Sequence, residues 1–289
     1  MLQELYSQYQ PLLFSIAYRM LGTVTDAEDI VQDVFVRVSD KDMDPIENKR
    51  AYLCKMVTNR CLDYLKSAEQ KRKVYVGPWL PEPLIVSEVD VFSEVIKEED
   101  ISYAVLLLLE KLNPIERAVF ILREVLEYDY ETISNIVSRS EIGCRKIFSR
   151  VKKKLPLINI EKEESQRQKE NFIIQNFVLA LQQENINAIE QFLSEEVTLY
   201  SDGGGKVYAA LKPVHTRGLV LRFIQHLMAN YQSEDKPANI KIVNINGNIG
   251  IIGKGEDNIL SAVSFNVKDD QISEIYIVRN PEKLQHITL

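Results

Sequence analysis

The chain has 289 residues, 45% of them hydrophobic and 27% charged, with a formal charge of −7. That length suits two or three domains, and the acidic balance excludes a protein that holds nucleic acid by being basic all over, though not one with a local basic helix. Three cysteines without a C-x-x-C pair exclude a disulfide framework and a cysteine zinc site, so Cys54, Cys61 and Cys144 read as packing residues in a reducing compartment.

The opening "MLQELYSQYQPLL" lacks a basic region followed by an apolar core, and no apolar run approaches the roughly 20 residues that span a bilayer. A cytoplasmic protein with no membrane partner is expected. Residues 1–73 read as helices. In "TVTDAEDIVQDVFVRVSD" the apolar positions Ala27, Ile30, Val31, Val34, Phe35 and Val38 have helical spacing, with Thr25 and Glu28 as the expected capping box. The next helix, "RAYLCKMVTNRCLDYLKSAEQKRK", sets Asn59, Asp63 and Lys66 along one face and ends in Lys71, Arg72 and Lys73.

The stretch at 74–100 breaks the pattern. "YVGPWLPEPL" holds the single Trp of the chain between Pro78, Pro81 and Pro83. Proline fixes φ and removes a donor, so an extended connector is expected, yet Trp79 and Leu80 are costly to leave in water. An acidic patch of Glu94, Glu98, Glu99 and Asp100 follows. Helices resume near 101, and Asn113-Pro114 signals a helix start.

Between 101 and 156 the informative segment is "YETISNIVSRSEIGCRKIFSRVKKKL". Ile133, Ile136 and Val137 form a short apolar helix, and Ser138 with Glu141 is the expected cap of the next. There Cys144, Ile147, Phe148, Val151 and Leu155 share a face while Lys146, Ser149 and Lys153 point away, flanked by Arg145 and Arg150. Two helices across a tight turn, the second basic outward, form a helix-turn-helix suited to the major groove, where Lys and Arg neutralise phosphates and reach base edges. Residues 157–168 read as a polar linker. From 169 to 289 the texture is α+β: helices at 170–183 and 186–193, strands in "VTLYS", "VYAAL", "IKIVNI", "IGIIGKG", "ILSAVSFNV" and "ISEIYIV", and one more helix, "GLVLRFIQHLMANY". Asn246-Gly247 is a hairpin signal and Asp269-Asp270 marks another turn; the late strands are expected to run antiparallel.

In order and spacing these pieces resemble a bacterial extracytoplasmic-function sigma factor of the sigma-70 family. "DAEDIVQDVFVRV" resembles the domain 2 helix that grips the β′ clamp helices of RNA polymerase core, which implies core contacts at Asp26, Asp29, Asp33 and Phe35. "TNRCLDYLK" resembles the segment that melts and reads the −10 element, implying roles for Asn59, Asp63, Lys66, Lys71 and Arg72. The segment 112–155 resembles domain 4, which reads the −35 element and meets the β flap; that implies Arg145, Lys146, Ser149, Arg150 and Lys153 on DNA.

The C-terminal part resembles one group of these factors, whose SnoaL-like extension is a cone of helices against a curved sheet, marked by WLPEP, DGGGK and NPDKL strings. Here they stand as Trp79-Leu80-Pro81-Glu82-Pro83, Asp202-Gly203-Gly204-Gly205-Lys206 and Asn280-Pro281-Glu282-Lys283-Leu284, with Glu282 for Asp. The group implies that the linker docks on the C-terminal domain and that the three strings regulate the factor, so that a separate anti-sigma protein is not required. The fold class expected is two all-α sigma domains followed by an α+β domain. No cofactor and no metal are expected.

Two other readings stand beside this one. A ligand-sensing helix-turn-helix regulator would use the SnoaL-like domain as sensor for a small molecule not identified by sequence. An enzyme on that fold would use Asp202, His215 or His226 as acid or base, although no dyad spacing is present.

Overall fold

The computed structural model describes residues 2–39, 41–72, 74–85, 102–155, 164–231, 239–254 and 258–287. The acidic patch Glu94, Glu98, Glu99 and Asp100 lies outside the described residues, as does Lys73. The described residues fall into two compact units. One carries the chain to residue 72 and from 105 to 155; the other carries 74–85, 102–104 and everything from 164 onward.

The first unit begins with α1 (Leu2–Leu21), α2 (Val24–Ser39) and α3 (Lys49–Arg72). In α2 Val24, Ala27, Ile30, Val31, Val34, Phe35 and Val38 are all buried, the stripe that turns an amphipathic helix toward a core. It packs on α1 and α3, in which Leu13, Phe14, Ala17 and Met20 and then Leu53, Val57 and Cys61 are buried. The cap of α2 differs from expectation: the Thr23 hydroxyl donates to the Asp26 carboxylate at 2.5 Å and the helix starts at Val24, two residues before the Thr25–Glu28 pair could act.

Helix α4 (Tyr103–Glu110) leads to α5 (Pro114–Phe120), which runs on as a π-helical turn, Ile121–Val125. Asn113 caps α5 as expected. Its side chain accepts from Glu116 N at 2.9 Å while the Glu116 carboxylate accepts from Asn113 N at 3.2 Å, a complete capping box. Helices α6 (Tyr130–Val137) and α7 (Glu141–Lys154) form the helix-turn-helix. Ser138 does not cap α7. It is the left-handed residue that ends α6, at φ 55°, and Ser140 caps α7 by accepting from Gly143 N at 3.1 Å. The closely spaced serines offered two registers, and the sharp turn needs the first in a conformation that forbids capping. This module packs on the first three helices. Arg117 is buried and donates to Met20 O and to Glu110, each at 2.5 Å, while the Tyr128 hydroxyl lies 3.4 Å from Cys54 Sγ.

In the second unit α8 spans Glu164–Gln182, so residues 164–168 of the expected polar linker are helix. Gln166, Arg167 and Gln168 have no apolar stripe but are good helix formers, which periodicity alone overlooks. After α9 (Ile186–Phe192) come β1 (Leu193–Asp202), β2 (Val214–His215), α10 (Arg217–Tyr231), β3 (Asn239–Ile245), β4 (Asn248–Lys254), β5 (Leu260–Lys268) and β6 (Gln271–Val278). The sheet order is β2-β1-β6-β5-β4-β3. All pairings are antiparallel except β1 with β6, which is parallel and corrects the all-antiparallel expectation. Register shifts in β1 and β5 bend the sheet around Phe177, Val220, Ile224, Phe265 and Ile275.

Both predicted turns have two residues at positive φ, Asn246 and Gly247, then Asp269 and Asp270, as two-residue hairpins require. "VYAAL" is not a strand. Tyr208 and Leu211 are exposed there, and the Arg279 guanidinium takes the Tyr208 carbonyl at 2.8 Å, an acceptor a ladder would have used. Pro213 has no N–H to extend a ladder toward β2. The architecture of a helical layer against a bent sheet agrees with the α+β expectation.

Candidate functional site

The tip of β1 carries Asp202, fully buried. A carboxylate out of water must be surrounded by donors, and Asp202 is. Its Oδ1 accepts from the Tyr75 hydroxyl at 2.6 Å and from Gly204 N at 3.0 Å; its Oδ2 accepts from Leu80 N at 2.9 Å and from Lys283 Nζ at 2.8 Å. Its backbone carbonyl accepts from Arg279 N and Asn280 N at 2.8 and 2.9 Å. One residue therefore binds the linker, its own loop and the segment after β6.

Lys283 answers from the other side. It too is buried, and it also donates to the Leu80 carbonyl. Its ammonium lies 4.1 Å from the ring centre of Trp79 and 5.0 Å from that of Tyr75, so two aromatic faces complete its shell. Asn280 caps the short helical turn Pro281–Lys283 by accepting from Glu282 N at 3.1 Å, and its amide donates to the Tyr75 hydroxyl at 3.0 Å. Burial pushes the Tyr75 phenol above its usual range, and the neighbouring Asp202 carboxylate adds to the shift.

The glycines are required by close approach. Gly204 and Gly205 sit at φ +60° and +70°. A Cβ on Gly204 would lie 2.4 Å from Asn280 Nδ2, and one on Gly203 would lie 2.5 Å from Val207 O. Lys206 pairs with Glu282, so the residue that departs from the NPDKL string ties two of the three strings together. The strap continues past Trp79. Leu80, Pro81, Glu82 and Pro83 are buried, Tyr103 donates to Pro81 O at 2.6 Å, and His286 Nε2 lies 3.0 Å from Pro83 O. Leu84 and Asn246 exchange bonds of 2.9 and 3.1 Å, and Ile85 bridges to Ile245 at the end of β3.

Sequence reasoning named all three strings but missed Tyr75, Tyr103, Asn246, Arg279 and His286. Asn246 was visible only as a turn residue; its side chain at the end of β3 could not be assigned to Leu84 by spacing. The trio considered for acid–base chemistry is not assembled. Asp202 is fully engaged in the clamp, His215 is exposed on β2 beside Thr198 Oγ1 at 3.2 Å, and His226 is exposed on α10 near Tyr208.

On α7 the residues named for DNA are exposed: Arg145, Lys146, Ser149, Arg150 and Lys153. Arg145 stacks over Tyr130 at 4.4 Å and pairs with Glu141 at 3.7 Å, while Arg150 Nε donates to Lys146 O at 3.3 Å. Lys152 and Lys154 have other work, pairing with Glu124 and Glu116. On α3 Asn59 is half-buried, and Asp63 and Lys66 are exposed and paired at 2.9 Å. The side chains of Lys71 and Arg72 lie outside the described residues. On α2 Asp26 is bonded to Thr23, Asp29 is exposed and Asp33 meets Arg60 at 2.7 Å and Arg37 at 3.1 Å. Phe35 is buried against Tyr6 with ring centres 4.8 Å apart, which removes it from the acidic face.

A three-helix module with an acidic helix, followed by a helix-turn-helix with a basic outer face, is the layout of a two-part initiation factor. The sigma-70 region 2 model matches residues 5–71 and the sigma-70 region 4 model matches residues 102–155. The chain belongs to the sigma-70 family of RNA polymerase sigma factors, in its extracytoplasmic-function class. Members bind RNA polymerase core and promoter DNA and act as initiation factors rather than enzymes.

The likeness to particular relatives runs beyond the sigma regions. The chain is 29% identical over 286 residues to the extracytoplasmic-function sigma factor SigJ of Mycobacterium tuberculosis, covering 94% of this chain and 89% of that one. The crystal structure of M. tuberculosis SigJ matches with a TM-score of 0.81 at 26% identity, covering 98% of each chain. The probable sigma factor SigI of the same organism is 31% identical over 149 residues, about half of each chain. Among the described residues no helix is long and apolar enough to cross a membrane.

Proposed function

We propose that this cytoplasmic sigma factor directs core polymerase to promoters through three faces and carries its own regulator in the C-terminal unit. Asp26, Asp29 and Asp33 meet the β′ clamp helices, Asn59, Asp63 and Lys66 work at the −10 element, and α7 enters the major groove at −35, with the helix-turn-helix module on the β flap. The C-terminal unit grips the strap 74–85, which joins the two sigma modules in sequence, and so limits how far they can part. No separate anti-sigma protein is needed in this scheme.

The observation that carries the reading is the convergence of WLPEP, DGGGK and NPEKL on one buried ion pair, Asp202 with Lys283. The test is transcription in vitro with purified core polymerase and this chain alone. Promoter-specific transcripts are expected, and Trp79→Ala is expected to change their yield. A chain that binds duplex DNA tightly as a dimer on a palindrome, without polymerase, would instead be the ligand-sensing regulator.

A further inference from the structure

The outer stripe of α7 has a feature that its charge does not explain. Lys146, Ser149 and Lys153 follow one another along the exposed face at helical spacing, and one turn toward the helix start the same stripe reaches Ile142. Ile142 is 67% exposed, more than any other large apolar side chain among the described residues of the first unit. It lies in the first turn, directly after the capping Ser140 and Glu141. The other residues of that stripe, Lys146, Ser149 and Lys153, are polar or charged. Arg145, one turn on, is braced by Tyr130 and Glu141, so the start of the helix presents a fixed surface.

In a helix-turn-helix the N-terminal residues of the second helix contact base edges. Lys and Arg there address guanine and phosphate; an aliphatic side chain can address only the C5 methyl of thymine. We infer that Ile142 is a specificity-determining residue that selects thymine at one position of the −35 element by packing on its methyl group. This rests on the proposed placement of α7 in the −35 major groove. At the neighbouring Gly143 an added Cβ would meet Ser140 Oγ at 3.1 Å; as a glycine it sets no side chain beside Ile142.

The experiment uses holoenzyme made from core polymerase and the full chain. Promoters are first selected from a pool randomised over the −35 region, and each selected thymine is then replaced singly by deoxyuridine, which differs only in lacking the methyl. Open-complex formation by the wild type is expected to fall about fourfold at one thymine, the effect of leaving one methyl-sized group in water. Ile142→Ala is expected to treat thymine and uracil alike there, Ile142→Val to keep the preference, and Lys146→Ala to lose affinity while keeping the discrimination. Ile142 is exposed, so the melting temperature of Ile142→Ala should match the wild type. Equal activity on deoxyuridine at every −35 thymine, or unchanged discrimination in Ile142→Ala, overturns the inference. A wild-type pool with no −35 preference at all overturns the placement of α7 as well.

Discussion

Replacing Asp202 by Ala removes the acceptor shared by Tyr75, Leu80, Gly204 and Lys283. The main loss is electrostatic. Lys283 is 5% exposed, so its ammonium stays buried with its counter-charge gone. Breaking one half of a buried pair costs about 3–5 kcal/mol, whereas an exposed pair would cost under about 1 kcal/mol. At a urea slope of about 2 kcal/mol/M the midpoint for the C-terminal unit should fall by roughly 2 M. Trp79 is the single Trp of the chain and lies against Lys283, so its fluorescence reports this site. The double variant Asp202→Ala with Lys283→Met removes both charges and should recover the electrostatic part of the loss, since no buried charge is left without its partner, while Tyr75, Leu80 N and Gly204 N still lack their acceptor. A single variant within about 1 kcal/mol of wild type, or a double variant no better than the single one, would show that the pair is not the strut of the clamp.

Three further outcomes are expected. Gly204→Ala places a Cβ 2.4 Å from Asn280 at φ +60° and should destabilise by about 1–3 kcal/mol in a thermal melt, whereas Gly218→Ala, where nothing lies within 4 Å, should be neutral or slightly stabilising. Burial pushes the Glu116 carboxyl up, but the Lys154 ammonium and the Asn113 N–H outweigh it and leave the group below the usual carboxylate range. A lowered folded pKa means that its stabilisation is complete above the ordinary glutamate range and is lost as pH falls through the folded value; Glu116→Gln should flatten this acid limb in circular dichroism titrations. Lys146→Ala and Lys153→Ala should each lower the slope of log affinity against log salt by about 0.9 in holoenzyme binding assays, if each neutralises one phosphate.

The parts of the fold legible in the sequence were those set by local rules. Periodicity located α2, α3 and α7, and positive-φ turn chemistry located the hairpins at Asn246-Gly247 and Asp269-Asp270. Cap registers slipped by two residues at Thr23 and Ser140, because neighbouring polar residues satisfy the same pattern and only the geometry of the preceding turn selects one. The false strand at "VYAAL" failed for a long-range reason. Its Tyr208 carbonyl is claimed by Arg279 from the far end of the domain, and no local window contains that competitor. Likewise Tyr75 stood next to the WLPEP string, but nothing near it in sequence pointed to Asp202.

That distribution bears on how the proposed regulator can act. The strap is held by pairs separated by up to 205 residues, such as Asn280 with Tyr75, so the contact exists only when the C-terminal unit is folded. Its members are also interdependent: Asp202 and Lys283 bond to each other and both bond to Leu80. Withdrawing Leu80 strips a donor from the carboxylate and an acceptor from the ammonium at once, leaving both short of partners in a buried setting. Release of the strap is therefore expected to be close to all-or-none. If parting of the sigma modules on polymerase requires it, the polymerase contacts must favour the released form by at least the free energy that holds the strap down. A variant that weakens the clamp without unfolding the domain should then need less core polymerase to reach half-maximal transcription, and one that needs more would separate strap release from initiation.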